Sequence, residues 1–209
     1  MKECLTLSVL LASLLGVGAV QADEGNFLVR VRAIGIFPEK SSEPGIGALA
    51  GVPADAITLS NKPAPEIDFT YFITQHWAAE LILSYPQQHD VNLAGTGKIG
   101  VARHLPPTLT LQYHFRPEET VRPYLGAGIN YTRFFNVDIV NGTFGLEHDS
   151  FGPAVQAGMD IRLAEKLYLN FDIKKIFMET DLKMNSTGAK VSHLNLNPVV
   201  VGVGFGWRF

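Results

Sequence analysis

The sequence predicts an all-β fold, an eight-stranded antiparallel transmembrane β-barrel. Three observations predict it. Apolar and polar side chains alternate in two-residue steps along eight segments, the pattern of strands whose two faces meet different surroundings. The connections between those segments alternate between short and long. Aromatic side chains stand at the ends of the apolar faces.

The first strand, Phe27 to Ile36, sets Phe27, Val29, Val31, Ala33 and Gly35 against a face that carries Arg30 and Arg32. The second, Glu66 to Thr74, sets Ile67, Phe69, Tyr71 and Ile73 against Glu66, Asp68, Thr70 and Thr74, with Phe72 an apolar exception on the polar face. The third, Trp77 to Tyr85, sets Trp77, Ala79, Leu81, Leu83 and Tyr85 against Ala78, Glu80, Ile82 and Ser84. In the fourth, Thr108 to Phe115, Leu109, Leu111, Tyr113 and Phe115 oppose Thr108, Thr110, Gln112 and His114. The fifth, Tyr124 to Phe134, carries Leu125, Ala127, Ile129 and Tyr131 against Gly126, Gly128, Asn130 and Thr132. The sixth, Ser150 to Arg162, carries Phe151, Val155, Ala157, Met159 and Ile161 against Gln156, Gly158, Asp160 and Arg162. The seventh, Leu167 to Phe177, carries Leu167, Leu169, Phe171 and Ile173 against Asn170, Asp172 and Lys174. The last, Leu196 to Phe209, carries Val199, Val201, Val203, Phe205, Trp207 and Phe209 against Gly202, Gly204, Gly206 and Arg208.

Alternation also suits a soluble sandwich with one wet face. The connections favour the barrel. Those at Gln75-His76, Arg116 to Thr120 and Ala164 to Lys166 are short, while Phe37 to Pro65, Pro86 to Pro107, Phe135 to Asp149 and Met178 to Asn195 are long. Membrane barrels have short periplasmic turns, long outer loops and aromatic girdles at both interfaces. Trp77 and Tyr85 bracket the third strand, and Phe205, Trp207 and Phe209 end the last. Arg133 and Lys175 are charges on the apolar face. Both fall late on upward strands, near the outer rim, where lipid and lipopolysaccharide phosphates are available.

Residues 1–22 read as a cleaved export signal and 23–209 as the barrel. Lys2 precedes the uncharged stretch Leu5 to Val20, and Val20-Gln21-Ala22 places small residues at the −3 and −1 positions of a cleavage site. Cys4, the single cysteine, lies in that signal, which excludes a disulfide framework and a cysteine nucleophile from the mature chain. A net charge of −3 gives no basic excess for nucleic acid. No mature segment is apolar over the roughly 18 residues that a spanning helix needs, and a closed barrel is the other structure that satisfies its backbone in lipid.

The segments His104-Leu-Pro-Pro-Thr-Leu109 and Arg122-Pro-Tyr-Leu-Gly-Ala-Gly-Ile-Asn-Tyr-Thr132, with a Gly-rich last strand ending in Trp207-Arg208-Phe209, resemble the outer membrane protein W family over essentially the whole mature chain. The resemblance implies an eight-stranded barrel in the outer membrane of a Gram-negative bacterium, with a narrow and partly hydrophobic, porin-like passage. It implies uptake of small hydrophobic molecules and, as the alternative role, a structural or receptor barrel for bacteriocins or phage. The terminal Phe209 resembles the signal read by the outer-membrane assembly machinery. The loops carry no such likeness, so no particular ligand is implied.

Eight strands enclose little more than a side-chain-filled core. The inward face carries Arg30, Arg32, Arg162, Lys174 and Arg208 against Glu66, Asp68, Glu80, Asp160 and Asp172. A closed ion-pair network and a set of groups lining a narrow path both fit that inventory, since buried charges must be paired. Inward Phe72, Ile82 and Ile176 interrupt the polar lining, as a hydrophobic constriction below an outer pocket or as ordinary packing. The candidate channel-lining residues are therefore Arg30, Arg32, Asp68, Phe72, Glu80, Ile82, His114, Asp172, Lys174 and Ile176. Gly202, Gly204 and Gly206 are expected beside Arg30 and Arg32, leaving room for them. The apolar stretch Gly45-Ile-Gly-Ala-Leu-Ala-Gly-Val-Pro53 suits capture of a greasy ligand or packing on neighbouring loops. Pro86, Pro106 and Pro107 remove donors at the upper ends of the third and fourth strands and would loosen the wall there, offering a lateral exit. The six histidines are scattered, and no Ser-His-acid or metal-ligand spacing converges. No enzymatic activity, metal or cofactor is expected.

Overall fold

The computed structural model describes residues 26–209. The export signal expected over 1–22 lies outside the described residues. The strands are β1 (Phe27–Phe37), β2 (Ser41–Ser42), β3 (Ile57–Leu59), β4 (Lys62–Phe72), β5 (Trp77–Ser84), β6 (Gln87–Leu93), β7 (Gly97–Leu105), β8 (Thr108–His114), β9 (Val121–Ile139), β10 (Phe144–Leu146), β11 (Asp149–Arg162), β12 (Leu167–Ile176), β13 (Glu179–Met184), β14 (Lys190–Asn195) and β15 (Val199–Arg208).

Eight of these close a barrel in the order β1-β4-β5-β8-β9-β11-β12-β15, every pair antiparallel. The last strand returns to the first. Leu28 stands opposite Arg208, and the register runs unbroken to Phe37 opposite Val199. At the short-turn end the backbone of Phe209 donates to Phe27 O at 2.7 Å. Closure gives each of these strands a paired neighbour on both sides, as a backbone in lipid requires.

The predicted alternation appears as two opposite surfaces. Val31, Leu109, Leu111, Leu125, Ile129, Val155, Ile173 and Val201 are exposed and form the apolar belt. Trp77, Phe115, Trp207 and Phe209 ring its short-turn edge, while Tyr85, Tyr131 and Phe151 ring the other. Trp77 meets Tyr113 edge to face at 5.0 Å. Arg133 and Lys175 project outward at the upper edge, as expected, and Lys175 Nζ pairs with Glu39 at 2.5 Å.

The long connections, expected as loops, fold instead into an extension of the wall. β6 and β7 form a hairpin, β9 runs on to Ile139 to pair with β7 and β10, and β10 passes the sheet to β13, β14 and β2. β3 pairs with β6. β2 meets β3 through Ser42, whose backbone carbonyl accepts from Asp55 N at 2.8 Å and whose hydroxyl accepts from Ile57 N at 3.2 Å. The tight β9–β10 turn places Asn141 and Gly142 at φ of 52° and 75°, a conformation that Asn and Gly tolerate best. The segment Gly45 to Pro53 packs on neighbouring structure. It contains a 3-10 turn at Gly47–Leu49, and Ile46 N donates to Val191 O of β14 at 2.8 Å. Its Leu49 and Val52 rest on the apolar interior of the extension.

Candidate functional site

The lumen is layered along its axis. At the short-turn end Leu28, Phe72, Ala78 and Tyr168 form a small apolar cluster. Arg208 lies over the Phe72 ring at 4.2 Å, and Arg122 over Tyr168 at 5.0 Å. His114 is buried against Phe72 at 4.9 Å, and its Nε2 is 3.1 Å from Gln112 Oε1. The space among these side chains is about 10 Å³, roughly the volume one water centre needs.

Above this lies a layer of charge. Arg30 Nε and Nη2 donate to Asp160 Oδ1 and Oδ2 at 3.0 and 2.6 Å, and its Nη1 reaches Asp68, Thr70 and Glu80 at 3.1, 2.7 and 3.1 Å. Arg32 pairs with Asp68 at 2.6 Å and with Glu66 at 2.8 Å, and donates to Asn170 at 3.1 Å. Glu80 Oε2 accepts from Gln112, Gln156 and Thr110 at 2.7, 2.8 and 3.2 Å. Asp172 accepts from Tyr124 Oη and from Lys174, both at 2.8 Å, and Lys174 reaches Glu66 at 2.8 Å. All of these groups are buried. The register makes room for the arginines. Arg30 faces Gly206 and Arg32 faces Gly204, and a Cβ on Gly204 would lie 2.8 Å from Arg32 Cγ.

Above the charges the lumen becomes apolar. Ile34, Ile36, Ile176, Met178 and Val200 begin a core that continues upward through Phe134, Phe144, Leu182 and Leu194. Where Ile34, Ile82, Ile176 and Met178 meet the Glu66–Lys174 pair, a cavity of about 20 Å³ remains. Ser84, His104, Pro106 and Thr108 complete its side.

That side is the proline seam. The β5–β8 ladder stops at Ile82 opposite Thr108, and the β6–β7 ladder begins at Gln87 opposite His104. Between them Leu83 to Pro86 face Leu105 to Pro107 with no backbone rung among the described pairings. The break is built rather than frayed. Asn130 Nδ2 donates to the carbonyls of Pro106 and Pro107 at 3.3 and 3.2 Å, and Tyr131 N donates to Pro107 O at 3.1 Å. His104 lies just above the seam and stacks on His89 at 4.9 Å. Burial pushes the His104 imidazole down to about 3 and lowers that of His89 as well.

All the predicted lining residues point inward, but not to one level. Arg30, Arg32, Asp68, Glu80, Asp172 and Lys174 share the charged layer, Ile82 and Ile176 lie above it, and Phe72 and His114 below it. The three-residue constriction expected of Phe72, Ile82 and Ile176 is therefore corrected. β4 runs toward the short turns, so its last residue, Phe72, sits on the opposite side of the charges from Ile82. Arg162, expected inward, is exposed at the short-turn mouth. Sequence reasoning missed Tyr124, Ile34, Ile36 and His104. The first three share the inward parity of residues it did name.

A closed, girdled eight-stranded barrel with an apolar belt and a charge-filled waist defines an outer-membrane β-barrel protein. A family model described as the OmpW family matches residues 23–209. The chain belongs to the OmpW family. It is 40% identical over 186 residues to the outer-membrane protein y4mB of Sinorhizobium fredii (87% of this chain, 79% of that one). It is 31% identical over 164 residues to the dibenzothiophene metabolism operon protein PahQ of Pseudomonas aeruginosa (76% and 77%). Among solved structures it is similar to the outer membrane protein OprG from Pseudomonas aeruginosa, with a TM-score of 0.78 and 28% identity over 88% of this chain and 96% of that one.

Proposed function

We propose that the protein takes up small hydrophobic molecules across the outer membrane. A solute enters the apolar interior of the outer extension, beneath the segment around Leu49 and Val52, and descends to Ile82 and Ile176. It leaves sideways between Ser84-Tyr85-Pro86 and Leu105-Pro106-Pro107 into the lipid. The observation that carries this reading is the coincidence of two features at one level: the apolar interior ends on the Glu66–Lys174 pair, and the wall at that height lacks its backbone rungs. Passage straight down would force a greasy solute to displace Arg30, Arg32 and their carboxylates, whose separation in a dry interior is costly. A sideways step avoids it. The 20 Å³ cavity is far below solute size, so uptake requires the apolar side chains above the waist to part. The name of PahQ, which refers to metabolism of an apolar sulfur-containing aromatic, agrees with a hydrophobic cargo. The barrel carries this role without chemistry on the solute, and Phe209 at the end of β15 serves its assembly into the membrane.

Uptake by a deletion strain complemented with the wild-type chain tests the proposal. Faster entry of hydrophobic solutes, with little change for small polar ones, is expected. Equal rates with and without the protein would leave a structural or receptor barrel.

A further inference from the structure

The seam carries more than a missing ladder. Ser84 Oγ and His104 Nδ1 are buried and have no hydrogen-bond partner, and both residues line the cavity above the waist. Ser84 ends β5 on one side of the break, and His104 stands near the end of β7 on the other. His104 is 5% exposed, so bulk water does not serve it. Unpartnered buried polar atoms are costly, and two of them on facing lips of one opening call for an explanation.

We propose that this pair is a head-group site, and that the preferred solute is a neutral hydrophobic molecule carrying a hydroxyl, an alcohol or a phenol. The inference rests on the uptake reading and deepens it. The chemistry narrows the class. Ser84 Oγ both donates and accepts, and an imidazole nitrogen donates or accepts according to its tautomer. A hydroxyl meets either tautomer, whereas a carbonyl only accepts. An anionic head is disfavoured because the one Lys or Arg lining the cavity among the described residues, Lys174, is already held by Glu66 and Asp172 at 2.8 Å each. The walls beside the pair are Ile34, Ile82, Ile176, Met178 and Val200, so the body of the molecule is apolar. His104 stays neutral in the folded protein throughout the physiological range, so head-group binding is expected to be insensitive to pH there.

The test uses the full mature barrel and a matched pair of probes, 1-naphthol and naphthalene. In a deletion strain, the double variant Ser84→Ala/His104→Phe is expected to lower the ratio of 1-naphthol to naphthalene uptake about tenfold, the scale of two lost neutral hydrogen bonds. His104→Gln, which keeps a donor and an acceptor, should hold the ratio near wild type. Equal folded levels are set by the heat-modifiable band. A ratio unchanged in the double variant overturns the site. A second measurement stands apart from transport: the ¹⁵N resonance of His104 Nδ1 in lipid nanodiscs should move with 1-naphthol and not with naphthalene at equal lipid loading. Movement with wild-type uptake absent for both probes retains the site and overturns the uptake reading. No movement with 1-naphthol shows that the lips bind water only and overturns the site.

Discussion

Arg30 holds Asp160 across the lumen through two parallel donors, Nε to Oδ1 at 3.0 Å and Nη2 to Oδ2 at 2.6 Å, with both side chains at most 2% exposed. The same guanidinium reaches Asp68, Thr70 and Glu80 with its remaining nitrogen. One planar fork thus ties β1 to β4, β5 and β11. Arg30→Met would leave three carboxylates short of a partner in a dry interior and is expected to cost about 3–5 kcal/mol, the scale for breaking a buried pair. Arg30→Lys keeps the charge but not the fork, and should fall between. Urea unfolding in lipid-containing micelles reads both. A methionine variant as stable as wild type would mean that the waist is not held by this pairing.

The arginines fit because glycines face them. A Cβ on Gly204 would stand 2.0 Å from Val31 O and 2.6 Å from Arg32 Cα, both backbone atoms. On Gly206 the nearest atoms are Arg30 Cγ and Leu28 Cδ1 at 3.1 Å, the ends or middle of movable side chains. Gly204→Ala is therefore expected to remove most of the folded, heat-modifiable form, and Gly206→Ala to cost about 1 kcal/mol or less. Equal folded yields for the two would count against close packing of β15 on β1.

The barrel was legible because lipid and lumen impose opposite chemistry on alternate residues. Ile67, Phe69 and Tyr71 against Glu66, Asp68 and Thr70 leave one assignment for β4, and the glycines opposite Arg30 and Arg32 follow from closure of the last strand on the first. The outer extension was not legible. Along β6 the inward positions are Gln87, His89 and Val91 and the outward ones Gln88, Asp90 and Asn92, so polar residues occupy both faces and the two-residue contrast is lost. Pro63 and Pro65 hid the start of β4. They pair with Gly35 and Ala33 on β1 while the β4–β5 ladder begins only at Glu66, so those prolines stand on a locally free edge. The layering of the site was missed for another reason. Parity gives the face of a strand, but height in the lumen depends on strand direction and register, which separate Phe72 from Ile82.

The stacked histidines make the outer hairpin sensitive to acid. An unfolded histidine takes up a proton near pH 6.5, whereas His104 does so only near 3 and His89 below its ordinary value. Between those limits the unfolded hairpin binds more protons than the folded one. Its stability therefore falls as pH drops from about 6.5 toward about 3 and is level above that range. Amide exchange of β6 and β7, measured relative to β1 and β15 at each pH, should accelerate on acidification. His104→Phe, which keeps the contact with Phe134 found at 5.8 Å, should flatten the response. An identical pH profile in that variant would place the acid sensitivity elsewhere.

Ile82 tests the route itself. It is 3% exposed and lines the cavity directly above the waist, one residue past which β5 loses its rungs to β8. Ile82→Asp would set a carboxylate into the apolar floor beside Glu66, where Lys174 and Arg32 are already paired with Glu66. A hydrophobic solute reaching the seam would then have to pass a desolvated or hydrated charge, and either costs free energy that a small polar solute avoids. Uptake of hydrophobic solutes is expected to fall about tenfold or more relative to that of polar ones, at equal levels of folded protein. The comparison of two solute classes in one variant separates an altered route from a barrel that merely folds poorly, because a folding defect lowers both rates together. If both classes enter as in wild type, the floor at Ile82 is packing alone and the hydrophobic path does not run past it.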